Sequence, residues 1–154
     1  MDLIQLIDAY AAGPQLLRDA VKGMSLEELR ARPIPGKWST LEVVCHLADF
    51  EIVYADRIKR VVAEHEPTLF GGDPDAFAAR LAYHDRCLED ELTITEAIRR
   101  QVGHILRALK PDDFQRRGIH SERGPLTLET LVTQITGHVP HHVHFIDEKR
   151  KAMG

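Results

Sequence analysis

The sequence predicts an all-α fold, a four-helix bundle with one long crossover connection, built as a single domain over residues 1–154. Two observations carry this. Four long stretches repeat apolar residues at helical spacing, and cap residues, prolines and glycines punctuate them where helices begin and stop. An amphipathic helix must bury its apolar face, and four of them in a chain this short do so most simply against one another.

The first helix is expected over residues 2–22, where Leu3, Ile4, Leu6, Ile7, Leu16, Leu17, Ala20 and Val21 supply the apolar positions. Gly13-Pro14 should kink or split it, because proline lacks the donor that the helix needs. Ser25-Leu26-Glu27-Glu28 reads as a capping box opening a short helical turn that Pro33 stops, and PIPGKW reads as a loop. A second capping box, Ser39-Thr40-Leu41-Glu42, opens a helix from about Thr40 to about His65. Its wide apolar arc faces away from a polar stripe that holds Glu42, His46, Asp49, Asp56, Arg57 and Arg60. Asp73 and Pro74 have the N-cap and first-position chemistry of a third stretch. Helical signal then runs from Arg86 to Leu109, where Pro111 ends it. Residues 112–126 read as a loop with a short extended piece at Arg117 to His120. The last helix starts at the N-cap Thr127 and ends near Lys151. Pro140 inside it should bend it against the carbonyl of Thr136.

Composition narrows the function. A formal net charge of −4 offers no basic footprint for nucleic acid, and no apolar run approaches the length of a membrane helix. The start MDLIQLIDAY lacks the basic region of a signal peptide, so a soluble, cytoplasmic protein is expected, without nucleic-acid or membrane partners. Two cysteines, Cys45 and Cys87, are too few and too far apart for a CxxC framework, which agrees with a reducing compartment.

Four of the nine histidines, His138, His141, His142 and His144, fall within seven positions of the last helix. At about 100° per residue, His138 and His142 stand one turn apart on one face. They lie inside the apolar arc made by Leu128, Leu131, Val132, Ile135, Val139, Phe145 and Ile146, while His141 and His144 fall outside it. Buried imidazoles need partners, because an unsatisfied one costs on the order of 1–3 kcal/mol. Hydrogen bonds within the core or a metal ion would both serve. His46, early in a helix able to pack beside the last one, is the best third ligand. Three histidines with an open position describe a catalytic-type site for a divalent metal, Zn²⁺ or Ni²⁺. His84 and His104 read as ordinary polar-edge residues.

GKWSTLEVVCHLADFE, followed about ninety residues later by LTLETLVTQITGHVPHHVHFI, resembles the DinB-like superfamily in its YfiT-like branch, close to the bacillithiol S-transferases. The shared features are Trp38 with Ser39, the quartet His46-Leu47-Ala48-Asp49, Arg57, the helix start Thr127 to Leu131, and the HxxxH of His138 and His142. The resemblance implies a four-helix bundle, a homodimer, and a divalent metal held by His46, His138 and His142. It also implies enzymes of several kinds: S-transferases using a low-molecular-weight thiol, a thiol-dependent isomerase, and hydrolases. The chain departs from many relatives by a shorter segment before Trp38, and residues 65–85 offer nothing to match.

A metal ion with an open position takes water or a thiol and stabilises its deprotonated form, which leads to hydrolysis or to thiol transfer onto an electrophilic small molecule. Asp49, three residues after His46, is placed to support that histidine or accept a proton, with a solvent-facing acid as the alternative. Arg57 can receive an anionic group of the thiol cosubstrate, although an ion pair with Asp49 or Asp56 is the simpler expectation. His141 and His144 are expected at the surface or at a dimer contact, Cys45 in the core, and Trp38 at the bundle end. A stress-related bundle that binds metal without turnover is the non-catalytic alternative.

Overall fold

A computed structural model describes residues 1–154. Its elements are α1 (Leu3–Val21), α2 (Leu26–Arg30), α3 (Thr40–Ala63), β1 (Thr68–Leu69), α4 (Pro74–Arg80), α5 (Leu88–Arg107), β2 (Arg117–His120), β3 (Gly124–Thr127) and α6 (Leu128–Met153). The four long helices α1, α3, α5 and α6 form the bundle. α1 packs against α5 and α6, and α3 packs against the same two, so α1 lies diagonally across from α3. This places His46 on α3 beside the histidines of α6. No helix is long and apolar enough to cross a membrane.

Both predicted capping boxes are present, with Ser25 and Ser39 accepting from the backbone three residues on while Glu28 and Glu42 bond back. Thr127 caps α6 and Asp73 caps α4. Three features differ from the sequence reading. First, α1 runs unbroken through Gly13-Pro14. Second, α5 starts at Leu88, because Ala82 adopts a left-handed conformation (φ 55°) and a single helical turn, Tyr83–Asp85, precedes the helix. Third, the extended piece at Arg117–His120 belongs to a small sheet ordered β1-β2-β3, with Thr68 paired to Ile119 in parallel and Gly118 to Leu126 antiparallel. A Cβ at Gly118 would lie 2.7 Å from Leu69 Cδ1, so the strand reaches the core only because this residue has no side chain. Leu69, Phe114 and Leu128 join that end of the core.

The apolar interior divides into two main clusters. One gathers Leu6, Tyr10, Ile58, Val102 and Ile135, and the other gathers Leu17, Val44, Leu47, Leu92 and Val139. On every helix the break between them falls at one level, and Arg99 occupies it, 1% exposed. Its guanidinium donates to Glu51 Oε1 on α3 (2.9 Å from Nε), to the Tyr10 carbonyl on α1 (2.7 Å) and to the Ile135 carbonyl on α6 (2.7 Å). One side chain on α5 therefore ties together the other three bundle helices. The Tyr10 carbonyl is the one that Pro14 leaves without a helical donor, which explains why α1 continues through the proline. Gly13 makes the room, since a Cβ there would sit 2.2 Å from Arg99 Nη1.

Removing one partner of a buried pair strands the other charge, at a cost of roughly 3–5 kcal/mol. Arg99→Ala is expected to lower the unfolding free energy by about that amount in urea titrations. Gly13→Ala, a change that stabilises an ordinary helix by up to about 1 kcal/mol, is expected to destabilise this one.

Candidate metal centre

His46 stands on the buried face of α3, 4% exposed, and His138 and His142 stand one turn apart on α6. One potential ligand atom from each lies within 4.8 Å of the others. His46 Nε2 and His138 Nε2 are 2.9 Å apart, and the His142 ring centroid is 4.7 Å from each of the other two. Pro140 sits between the α6 pair and α6 continues through it. As in α1, a proline deprives a carbonyl of its donor, here that of Thr136, and Arg99 holds the neighbouring Ile135 carbonyl. The backbone turn that precedes His138 is thus pinned from inside the bundle.

Burial and mutual repulsion keep all three imidazoles neutral. Desolvation lowers the pKa of His46 from the usual 6.5 to about 4, against the opposing charge of Asp49. Desolvation, then the neighbouring histidines, brings His138 and His142 to about 3. Neutral imidazoles offer lone pairs. The two facing Nε2 atoms have at most one hydrogen to share, and His46 Nδ1 and His138 Nδ1 are buried without partners. A cation among the ring nitrogens relieves that crowding of lone pairs, and a set of three imidazoles suits Zn²⁺ or Ni²⁺. The residues present fit a divalent ion.

Phe50 stacks against His46 at 4.8 Å, and Phe77 of α4 stacks on Phe50 at 5.3 Å. Residues 65–85, unmatched in the sequence, therefore help wall the site. Trp38 packs with its ring centroid 5.1 Å from that of His46 and against the cluster that holds Val43 and Val139.

Asp49 does not hydrogen-bond to His46. Arg86 takes both of its oxygens (3.0 and 2.6 Å) and also grips Glu91, so Asp49 acts on His46 only through its charge. Nor does Arg57 form the expected ion pair. Asp49 belongs to Arg86 and Asp56 to Arg60 (2.9 Å), because the turn of the helix carries Asp56 to the exposed side while Arg57 is 4% exposed. Arg57 donates to the Phe70 carbonyl (2.6 Å), lies over the Tyr54 ring at 4.8 Å, and leaves its Nε buried without a partner. It faces a cleft of about 430 Å³ that the three histidines share with His120, Arg123 and Gln134. Sequence reading missed His120 and Arg123, which the small sheet brings in; no helical spacing could have located them. His120 Nδ1 accepts from the backbone of Glu122 and Arg123 (3.1 and 3.2 Å). His141, exposed, also borders this cleft, whereas His144 pairs with Glu148 at 3.2 Å. His84 meets Glu42 at 3.1 Å. Cys45 is fully buried, its thiol directed to the Tyr83 carbonyl and its pKa pushed up to about 12 by burial, which leaves it inert.

Comparison with known proteins places this geometry. A sequence model of the DinB superfamily matches residues 9–146. A protein of Oceanobacillus iheyensis named "Putative metal-dependent hydrolase OB0782" is 29% identical over 140 residues, which cover 90% of this chain and 81% of that one. A namesake from Geobacillus kaustophilus is 30% identical over 153 residues, covering 96% and 84%. Among solved structures, YfiT from Bacillus subtilis, described as "a probable metal-dependent hydrolase with an unusual four-helix bundle topology", superposes with a TM-score of 0.92 at 25% identity, over 99% of this chain and 87% of that one. The mycothiol-dependent maleylpyruvate isomerase shares the fold at 11% identity, with a TM-score of 0.73 over 94% and 60% of the two chains.

The lowered histidine pKa values set a pH dependence. The folded chain refuses protons that the unfolded chain accepts below pH 6.5, so stability is full above that pH and is lost as pH falls toward 4. Metal-free protein is expected to show a falling Tm between pH 6.5 and 4.5, and a His46→Gln, His138→Gln, His142→Gln triple variant a flatter profile.

Proposed function

Because the chain belongs to the DinB superfamily, we propose that it is a metal-dependent enzyme that transfers a low-molecular-weight thiol to an electrophilic small molecule. The ligands are His46, His138 and His142. They would hold a divalent ion such as Zn²⁺ or Ni²⁺, which would supply Lewis-acid chemistry that favours the deprotonated form of a thiol or of water. In the transfer the thiol sulfur would form a bond to the electrophilic carbon as the bond to the leaving group breaks with its electron pair, the thiol proton passing to solvent.

The observation that carries this reading is the distribution of charge around the triad. Asp49, the acid nearest His46 in sequence, has both oxygens committed to Arg86, so it is poorly placed to take a proton from water. Thiol attack needs no such base once the sulfur is deprotonated. Arg57, a buried cation without a counter-ion, suits an anionic group on the thiol, with Arg123 and His120 beside it. Asp49 acts on His46 through its charge, which partly offsets the desolvation that lowers the His46 pKa. Metal-dependent hydrolysis is the second reading, favoured by the names of the relatives. We further place the protein in the cytoplasm as a homodimer; its cysteines are both free, as a reducing compartment requires.

The test is turnover of a model electrophile with and without thiol, alongside spectra of cobalt-substituted protein. S-transfer predicts a thiol-dependent rate and a new sulfur-to-metal absorption band, both lost by at least 100-fold in His142→Ala. Arg57→Gln is expected to raise KM for an anionic thiol about 10-fold while changing kcat little. An unchanged rate without thiol would establish hydrolysis instead, and metal binding with neither turnover nor band would leave a binding protein.

A further inference from the structure

A second cleft, of about 270 Å³, uses His142 as a shared wall with the first. Its lining is of another kind. Ile34, Trp38, Val43 and Phe145 give it apolar walls, and Lys149 stands among them. Lys149 is 4% exposed, and its ammonium donates only to the Phe145 carbonyl, at a long 3.4 Å, with the Phe145 ring centroid 6.0 Å away. No carboxylate lies within ion-pair distance of it. Glu148 is drawn to His144, and Glu42 is taken by Arg32, the Ser39 backbone and His84. Lys37 adds a second positive charge to the lining, and Glu148, whose carboxylate pairs with His144, also borders the cleft. Burial lowers the Lys149 pKa, the mark of an ammonium that has lost water without gaining an anion. Such a group is costly unless something of opposite charge completes it.

We propose that this cleft binds an apolar organic anion, an aryl or alkyl carboxylate by chemical class, with its apolar body against Trp38 and Phe145 and its anionic group on Lys149. The occupant is the electrophilic substrate. Its role rests on the S-transfer reading, and its chemistry rests on the cleft alone. The polar cleft at Arg57 then takes the thiol, and the two substrates meet at His142. Apolar walls discriminate weakly among bodies of similar size, whereas an unpaired buried charge discriminates strongly between a carboxylate and its neutral isostere.

Trp38 is the only tryptophan, so its fluorescence reports on this cleft directly. Metal-loaded protein would be titrated with phenylacetate and with phenylacetamide, which differ only in charge and hydrogen-bonding at one end. Phenylacetate is expected to bind at least 10-fold more tightly. Lys149→Met should abolish the preference and leave the amide affinity unchanged, which also shows that the cleft is intact, and Lys149→Arg should keep the preference. Equal affinities in the wild type, a preference that survives in Lys149→Met, or no Trp38 response to either compound would overturn the proposal. The preference should persist after chelation of the metal. A failure of thiol-dependent turnover would therefore sink the S-transfer reading without touching the cleft, and a failure here would leave that reading standing.

Discussion

The guanidinium of Arg99 is the constraint on which the bundle depends. It sits at the level where both apolar clusters stop, and its donors reach α1, α3 and α6 from α5. A charge this deep is tolerated because nearly every donor finds an acceptor, and two of the acceptors, the Tyr10 carbonyl and the Glu51 carboxylate, would otherwise be costly. Tyr10 offers a carbonyl freed by Pro14. Glu51 offers a carboxylate with no exposure of its own, whose pKa burial raises against the pull of Arg99. Proline in a helix, glycine beside it and arginine opposite form one device.

The three histidines of the proposed metal site stand on that layer. Ile135, held by Arg99, precedes His138 by three residues, and Glu51 follows His46 by five on α3. The two helices that carry the histidines are thus fixed relative to each other by the same side chain. Preorganisation of this kind lets three imidazoles converge before any cation binds, with desolvation keeping their lone pairs free. Around them the charges are arranged unevenly: an acid tied up by Arg86 on one flank, unpaired cations at Arg57 and Lys149 on two others.

The histidines were legible in the sequence because an i, i+4 spacing inside an apolar arc has few interpretations, and because a capping box at Ser39 and an N-cap at Thr127 mark the starts of both helices. Arg57 was legible as a candidate but not in its surroundings: a wheel placed it at the edge of a polar stripe, whereas it is buried and donates to the Phe70 carbonyl just beyond β1. Arg99 and Glu51 were not singled out by sequence. A signal for Arg99 was Pro14, which frees the Tyr10 carbonyl and so demands a donor from elsewhere. His120, Arg123 and the wall made by residues 65–85 were not legible, because strand pairing between Thr68 and Ile119 joins segments fifty residues apart without leaving a local pattern.

The central claim is that His46, His138 and His142 hold one divalent ion. Elemental analysis of untagged protein, purified without chelators, tests it most directly, with the His138→Ala variant run in parallel. About one Zn²⁺ or Ni²⁺ per chain is expected in the wild type and a substoichiometric trace in the variant. Wild-type protein that stays metal-free after incubation with either ion, or a variant that binds equally well, would contradict it.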